Sequence, residues 1–590
     1  MVKINRAIQI IKKQGLCVFI KKLHRKINRF FFDYEQSAYK EWIKIYEENE
    51  MEQMEELEYK PLLSVVIPVY NVTTKQLTEC IESVLAQTYK NWELCIADDA
   101  STWDNVKECL QQYEGRKRIK ICYRQENGHI SMATNSAIEM AEGEFIAFMD
   151  CDDTLAPHAL YEVAKKLNED KTLDFIYSDE DKIDDAGGNR HQPHFKPDWS
   201  PDTLMSHMYT CHLGVYRKSL GDAIGWLRKG YEGAQDYDFT LRFTEKTDKI
   251  AHIAKILYHW RERKESTSVN IGAKSYVCEA ARMAKEDALK RRGLKGRCEW
   301  VEAFFQYRIV YEPVGIPLVS IIIPTKDNFE VFHKCVQSIR GKSSYKNYEI
   351  IVVDNGSSEE QKQAYERYCQ EIGAVYDFEK MDFNFSAMCN RGAEIAHGEL
   401  YLFLNDDTEV LSEAWIERMA GHAMLSHIGA VGAKLLYPDT SLIQHIGVAN
   451  LQEEPVHLLG KMDDDITQYF GRNKVEYNYI AVTGACLMIE KKKFQEIKGF
   501  DESFAVSYND IKLCFDLWKK GYYNVCRMDA VLYHYESLSR GLDVVDPVKE
   551  ERLAKERSHL YEVHPALQGK DPFYSPNLSI RRTDCSPRNE

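Results

Sequence analysis

Short apolar, β-branched runs that stop at polar or acidic residues recur along this chain. Leu63 to Val69 is one such run, and its continuous apolar character reads as a buried parallel strand. A helical pattern follows, with Leu77, Cys80, Ile81, Val84 and Leu85 on one face. A second strand over Trp92–Ala97 ends at Asp98 and Asp99. A further helix, a strand near Ile119–Tyr123 and a helix over Ser131–Ala141 then precede a strand over Glu144–Met149. Strands alternating with helices predict a mainly parallel α/β sheet, in which ligands bind beyond the carboxyl ends of the strands. The acidic groups Asp98-Asp99 and Asp150-Cys-Asp-Asp153 both fall at such ends, so they are expected to share one crevice.

The pattern occurs twice. Ser64–Asn71 (SVVIPVYN) is matched by Ser320–Asp327 (SIIIPTKD), 256 residues on. Tyr89–Glu93 matches Tyr345–Glu349, and Asp98–Ser101 matches Asp354–Ser357, at the same offset. Asn135, Gly143 and Glu144 match Asn390, Gly398 and Glu399 at 255. Two tandem copies of one domain are therefore expected, over 61–312 and 313–565, after an N-terminal segment (1–60) and before a polar tail (566–590) expected to be loosely ordered.

At 590 residues the chain is too long for one core. Its 77 basic and 92 acidic residues, net −15, argue against a general nucleic-acid binder. The sixteen cysteines are scattered with no C-x-x-C pair, which excludes a disulfide or zinc framework and fits a reducing cytoplasm. No apolar stretch reaches the roughly 18 residues of a membrane span. Met1 to Phe32 holds nine basic residues and no acid, with Ile4, Ile8, Ile11, Phe19, Leu23, Ile27 and Phe30 at helical spacing. Such a basic amphipathic helix fits peripheral contact with the inner face of the cell membrane, or packing on the protein with a basic face in water.

Clustered carboxylates repel, and a divalent cation removes the conflict. Mg²⁺ and Mn²⁺ take carboxylate oxygens and commonly share them with phosphates. A D-x-D turn after an apolar strand is thus a candidate holder of a metal–diphosphate, against the alternative of a solvated acidic turn. The motifs SVVIPVYN, WELCIADDAS, GEFIAFMDCDDTLAP, EGAQDYDFTLR and LYHWR, followed by SIIIPTKD, YEIIVVDNGS, LFLNDDTEV, AVTGACLMI, GFDESFAVSYNDIKLC and LYHYESLSRG, occur in that order. Through them the chain resembles a tandem member of glycosyltransferase family 2 with two GT-A-type domains (Rossmann-like, mixed but mainly parallel sheets). It is similar to bacterial surface-polysaccharide enzymes, rhamnosyltransferases among them.

The resemblance implies an inverting, metal-dependent transfer (Mn²⁺ or Mg²⁺). Sugar would pass from a nucleoside-diphosphate donor, UDP- or dTDP-linked, to a glycan or lipid-linked glycan. In the first copy it puts Pro68 and Tyr70 beside the base and Asp99 on the pyrimidine edge. Asp150 and Asp152 form the D-x-D, Asp152 on the metal, with Asp236 as base and His259 on metal or diphosphate. In the second copy Pro324, Asp354 and Asn355 take the nucleotide positions and Asn405 the ribose side of the turn. Asp407 and His534 are matched to the metal, and Asp510 to the base.

The base pair is 274 residues apart and the histidine pair 275, so an insertion near Tyr437–Tyr479 on the acceptor side is expected in the second copy. Bland readings stand beside these. Tyr70 could be a core aromatic, Asp236 a helix cap, and His259 an ordinary edge-strand residue. Ser178-Asp-Glu-Asp181 could be a solvated turn and has no assigned role. Asn405 and Asn355 remove charge from the second copy, and Lys512, two residues after Asp510, would weaken that acid as a base. The readings are a transferase with two active sites, one active domain with a glycan-binding copy, or a non-catalytic sugar-nucleotide or carbohydrate binder. A sugar-nucleotide pyrophosphorylase is disfavoured because no glycine-rich G-x-G-T-R-type loop opens either copy.

Overall fold

The computed structural model describes residues 36–47, 54–262, 271–535 and 547–590. The basic helix expected before Phe32 lies outside them. In the first domain β1 (Leu63–Val69), β2 (Trp92–Asp98), β3 (Ile119–Tyr123), β4 (Phe145–Phe148), β5 (Thr154–Leu155), β6 (Phe175–Ile183), β7 (Arg190–His194), β8 (Gly214–Arg217) and β9 (Ile250–Arg261) form one sheet. Its order is β3-β2-β1-β4-β8-β6-β9-β5, with β7 beside β6. The second domain repeats that order strand for strand. Val319–Thr325 stands for β1, Tyr348–Asp354 for β2, Val375–Phe378 for β3 and Leu400–Leu404 for β4. Cys486–Glu490 stands for β8, Ile428–Leu436 for β6, Tyr523–His534 for β9 and Thr408–Val410 for β5.

Small features repeat with the order. Leu63 pairs with Trp92 as Val319 pairs with Tyr348. Ser64 Oγ donates to Glu93 Oε1 (2.6 Å) and accepts from Gly143 N (2.9 Å); Ser320 Oγ does the same with Glu349 (2.6 Å) and Gly398 (2.8 Å). A Cβ on Gly143 would lie 2.4 Å from Ser64 Oγ, and one on Gly398 2.5 Å from Ser320 Oγ, so both positions require glycine. The helix Thr74–Leu85 buries Leu77, Cys80, Ile81 and Val84 and is capped by Thr73, whose side chain accepts from Gln76 N. Helix His129–Glu139 starts and ends two residues before its expected bounds. Every described cysteine is free, and no described helix is long and apolar enough to cross a membrane.

One sequence expectation fails outside the sheets. The tail is not loose: Phe573, Tyr574, Leu578 and Cys585 are buried, because they supply apolar cover that both domains lack on this side. Asn577 Nδ2 donates to Asp179 Oδ2 (3.1 Å) and Ala254 O (2.8 Å) in the first domain. Buried Arg472 of the second domain donates to Phe573 O (3.0 Å). The insertion expected near Tyr437–Tyr479 binds the first domain. Tyr469 Oη donates to Phe195 O (2.9 Å) and accepts from Phe195 N (3.0 Å), and Phe470 stacks on His194 at 3.8 Å.

The domain contact centres on a buried acid. Asp202, on the helix Pro201–Ser206, lies 2.8 Å from His422 Nε2 and 3.3 Å from His427 Nε2, and accepts from Asn478 Nδ2 (2.8 Å). Burial alone would raise its pKa; His427, with the hydrogen bonds of both histidines, outweighs burial and holds the carboxyl well below the usual range. A depressed acid contributes stability that is complete above the unfolded pKa, about 3.9, and is lost as pH falls through the folded value. Thermal melts taken downward from about pH 5 should show that loss starting below about pH 4, and Asp202→Asn should blunt it. An unchanged acid limb in the variant would refute the assignment.

Candidate active site

The chain leaves β4 and turns sharply through Asp150-Cys-Asp-Asp153, and β9 holds that turn. Tyr258 Oη accepts from Asp150 N (3.1 Å) and donates to Asp153 Oδ2 (2.6 Å). Arg261 N donates to Asp153 Oδ1 (2.7 Å), and Arg261 Nε to Asp152 O (2.6 Å). Asp153 is fully buried, and burial, then the charges of Asp152 and Asp150, push its carboxyl well above the ordinary range. The Asp150 side chain remains 40% exposed.

His212, at the loop before β8, was not singled out by sequence. Its ring stacks on Tyr258 (centroids 4.4 Å, planes 13° apart) and brings Nε2 to 3.8 Å from Asp150 Oδ2. One ligand atom each from Asp150, Asp153 and His212 lie within 4.8 Å of one another. Two carboxylates and an imidazole form a donor set that suits a divalent cation. The N-cap of the helix Gln235–Thr244 is Ala234, so the helix-cap reading fails; Asp236 lies in the first turn and accepts from Tyr237 N (2.8 Å). Its carboxyl is raised by burial and by Asp150, and lowered by His212, which puts it in electrostatic reach of the same cluster.

His259 faces Thr154 across the β5–β9 pair, and its Nδ1 lies 2.6 Å from Asp181 Oδ1. The solvated-turn reading of Ser178–Asp181 is overturned: these residues lie in β6, all buried. Lys196, inserted between the acids, bonds Glu180 (Nζ, 3.1 Å). Burial would raise Glu180, but Lys196 and the histidines beside it hold the carboxyl at about 2. Glu180 Oε2 also accepts from His212 N (2.8 Å). Among the nucleotide positions, Pro68 lies on β1 beside Ala97, and Tyr70 is 47% exposed, which rules out the core reading. Asp99 is buried and accepts from Arg124 Nε (2.8 Å) and Gly128 N (2.9 Å), two partners sequence reasoning missed.

In the second domain Pro324, Asn405, Asp407, Asp510 and His534 line one cleft of about 910 Å³, with Tyr437, His457 and Lys461 of the insertion on its wall. His534 Nε2 lies 3.1 Å from Asp407 Oδ1 and 3.3 Å from Asn405 Nδ2. Asp510 accepts from Gly484 N (2.7 Å) and Ile511 N (2.8 Å). Lys512 bonds Asp516 (2.6 Å) and Asp501 (3.3 Å) rather than Asp510, so the expected cation beside the base is spent elsewhere. Asp354 is committed within the fold, accepting from Ser357 and from Tyr376 Oη (2.6 Å). Asn355 is buried beside it, its Oδ1 accepting from Met381 N (3.2 Å). Arg217 and Glu490 occupy matched register positions, and counting back from them puts Ala485 in the place of His212.

Tyr258→Phe removes one of the two donors to Asp153, beside Arg261 N, and the acceptor of Asp150 N. Leaving buried polar groups short of a partner costs about 1–3 kcal/mol each. A lower urea midpoint with unchanged secondary structure is expected; an unchanged midpoint would show that Tyr258 does not hold the turn.

The description "Glycosyl transferase family 2" matches residues 64–225 and 320–497. An uncharacterized protein, y4gI, of Sinorhizobium fredii is 42% identical over 545 residues, 90% of this chain and 59% of that protein. The O-antigen biosynthesis protein RfbC of Myxococcus xanthus is 35% identical over 537 residues, 90% of this chain and 41% of that protein. The chain thus spans about half the length of these relatives. A chondroitin synthase of Escherichia coli is 31% identical over 209 residues, 35% of this chain and 30% of that enzyme. The structure of S. aureus TarS 1-349 with UDP-GlcNAc shares 23% identity over 38% of this chain and 66% of that one, with a TM-score of 0.32.

Proposed function

This chain belongs to glycosyl transferase family 2, and on that premise we propose that it is an inverting, divalent-cation-dependent glycosyltransferase with two active sites. It extends a bacterial cell-surface glycan from nucleoside-diphosphate sugars. The observation that carries the reading is the meeting of Asp150, Asp153 and His212 at the end of β4.

In the first site a divalent cation would be held by Asp150 and Asp152, with Asp153 and His212 completing the donor set and His259 beside them. Bound there, the cation offsets charge on the leaving diphosphate. Asp236 takes the proton of the acceptor hydroxyl. The hydroxyl oxygen bonds to the anomeric carbon from the face opposite the diphosphate, and the sugar–phosphate electron pair leaves with the diphosphate. Tyr70 and Asp99 border the base, with Arg124 fixing the Asp99 carboxylate, and a UDP- or dTDP-linked donor fits that acceptor edge. In the second site Asp510 is the base, and Asp407 with His534 the cation side. The relative named for O-antigen biosynthesis supports a surface-glycan acceptor, which would be met in the cytoplasm at the inner membrane face.

A second reading keeps the first domain catalytic and makes the second a glycan-binding copy; Asn405 in place of a carboxylate favours it. Product masses and nucleoside-diphosphate release from the wild type, Asp236→Asn, Asp510→Asn and the double variant separate the two. Each single variant should lose one linkage, with rates lower by about 10²–10⁴, and chelator should stop both transfers. Products unchanged by Asp510→Asn would establish the second reading. Full activity in chelator would end the cation scheme.

A further inference from the structure

The acidic run of β6 has no role in the reaction as written, yet it sits directly behind the site. Glu180 bonds the backbone N–H of His212, and Asp181 bonds the ring of His259. We propose that Asp181 is a positioning residue that acts through His259, and that it distinguishes the first active site from the second. The inference rests on the reading that the first site holds a divalent cation with a nucleoside diphosphate.

Asp181 is fully buried, and everything facing it serves to aim one carboxylate. Tyr39 Oη donates to Oδ2 (2.6 Å), and Arg190 Nε donates to the same oxygen (2.5 Å). Oδ1 is left for His259 Nδ1 (2.6 Å). A carboxylate oxygen only accepts, so Nδ1 carries the proton and Nε2 is the ring's remaining ligand atom. Histidines that ligate metals characteristically bond their other nitrogen to a carboxylate or carbonyl, which fixes the tautomer and strengthens the ligand.

The second domain supplies the comparison. His534 occupies the place of His259, opposite Thr408 as His259 is opposite Thr154. Its Nε2 approaches Asp407, but its Nδ1 meets the neutral amide oxygen of Gln444 at 2.8 Å. The same histidine thus has an anion behind it in one copy and an amide in the other. Glu47 gives Arg190 a second acid partner (2.6 and 2.8 Å), so Asp181→Asn does not strand a buried cation.

Mn²⁺ binding with UDP or with dTDP, followed by electron paramagnetic resonance of free Mn²⁺, tests this on the full chain. The second site is silenced by Asp407→Ala. In that background Asp181→Asn should weaken Mn²⁺ uptake with nucleotide by about 10–100-fold. His259→Ala should do the same, and the double variant should be no weaker than His259→Ala alone. Additive losses, or an Asp181→Asn variant that binds as the parent does, would overturn the positioning role. The converse swap does not depend on Asp181→Asn folding. With the first site silenced by Asp150→Ala, Gln444→Glu should tighten Mn²⁺ uptake several-fold at the second site, on the order of the lower end of that range; unchanged or weaker uptake would count against the inference. A parent that takes up no Mn²⁺ with either nucleotide would instead overturn the cation reading itself, and the inference would fall with it.

Discussion

Unpaired negative charge cannot be buried without great cost, and the first domain answers that constraint with the neighbouring strands β6 and β9. The acids at stake are Asp153 after β4 and Asp179, Glu180 and Asp181 along β6. Each has donors waiting. Tyr258 and Arg261 of β9 meet Asp153, His252 of β9 meets Asp179 (2.8 Å), Lys196 meets Glu180, and Tyr39 and Arg190 meet Asp181. With these buried acids met from behind, the Asp150 side chain remains 40% exposed beside His212 Nε2 (3.8 Å). The site follows from how the rest of the charge is neutralised.

The two domains show which parts of this arrangement belong to the frame and which to the individual site. Sheet order, the Ser–Glu–Gly lock and the tyrosine that closes each first strand are shared; Tyr89 Oη donates to Pro61 O (2.6 Å) and Tyr345 Oη to Pro317 O (2.5 Å). The groups facing the crevice are not shared. His212 gives way to Ala485, Asp150 to Asn405, and the carboxylate behind the late histidine to Gln444. Asn405 thus puts a neutral amide in place of Asp150, and Gln444 meets His534 with an amide as Asp181 meets His259 with a carboxylate. The second copy also walls its cleft with Tyr437, His457 and Lys461, side chains from an insertion the first copy lacks.

Much of this was legible in the residues. The β-branched runs and the constant offset located both sheets, since strand residues buried on both faces leave an unbroken apolar signature. Asp150 was singled out because acids at strand ends are a local signal, and Asp236, Asp407, Asp510 and His534 through a fixed motif order; the structure brings the last three to one cleft. His212 was not legible: its neighbours Cys211 and Leu213 give no pattern, and only the fold brings it to Asp150. Arg124 was missed for the same reason, being 25 residues from the Asp99 it bonds. The Ser178–Asp181 run was left unassigned, with a solvated turn as one reading, because four polar residues in a row read as a turn. Their partners lie far off in the chain, Tyr39 at 142 residues from Asp181 and Asn577 at 398 from Asp179. The tail was misjudged likewise, its few aromatics hidden among polar residues that face two domains at once.

Those distant partners bind the segments of the chain into one unit. Tyr39 comes from helical residues 36–42, ahead of both domains, and Asn577 from the tail behind them. Both end on β6, at Asp181 and Asp179, on acids two positions apart that alternate to the same side of the strand. Tyr46 Oη closes the circuit by donating to Glu590 O (2.5 Å), so the two flanking segments also hold each other. The tail in turn is gripped by the second domain through Arg472, and the second domain holds the first through Asp202. Both flanks thus end on the strand whose Asp181 bonds the ring of His259. In this chain the geometry of the first site is a property of the whole molecule rather than of the domain that contains it.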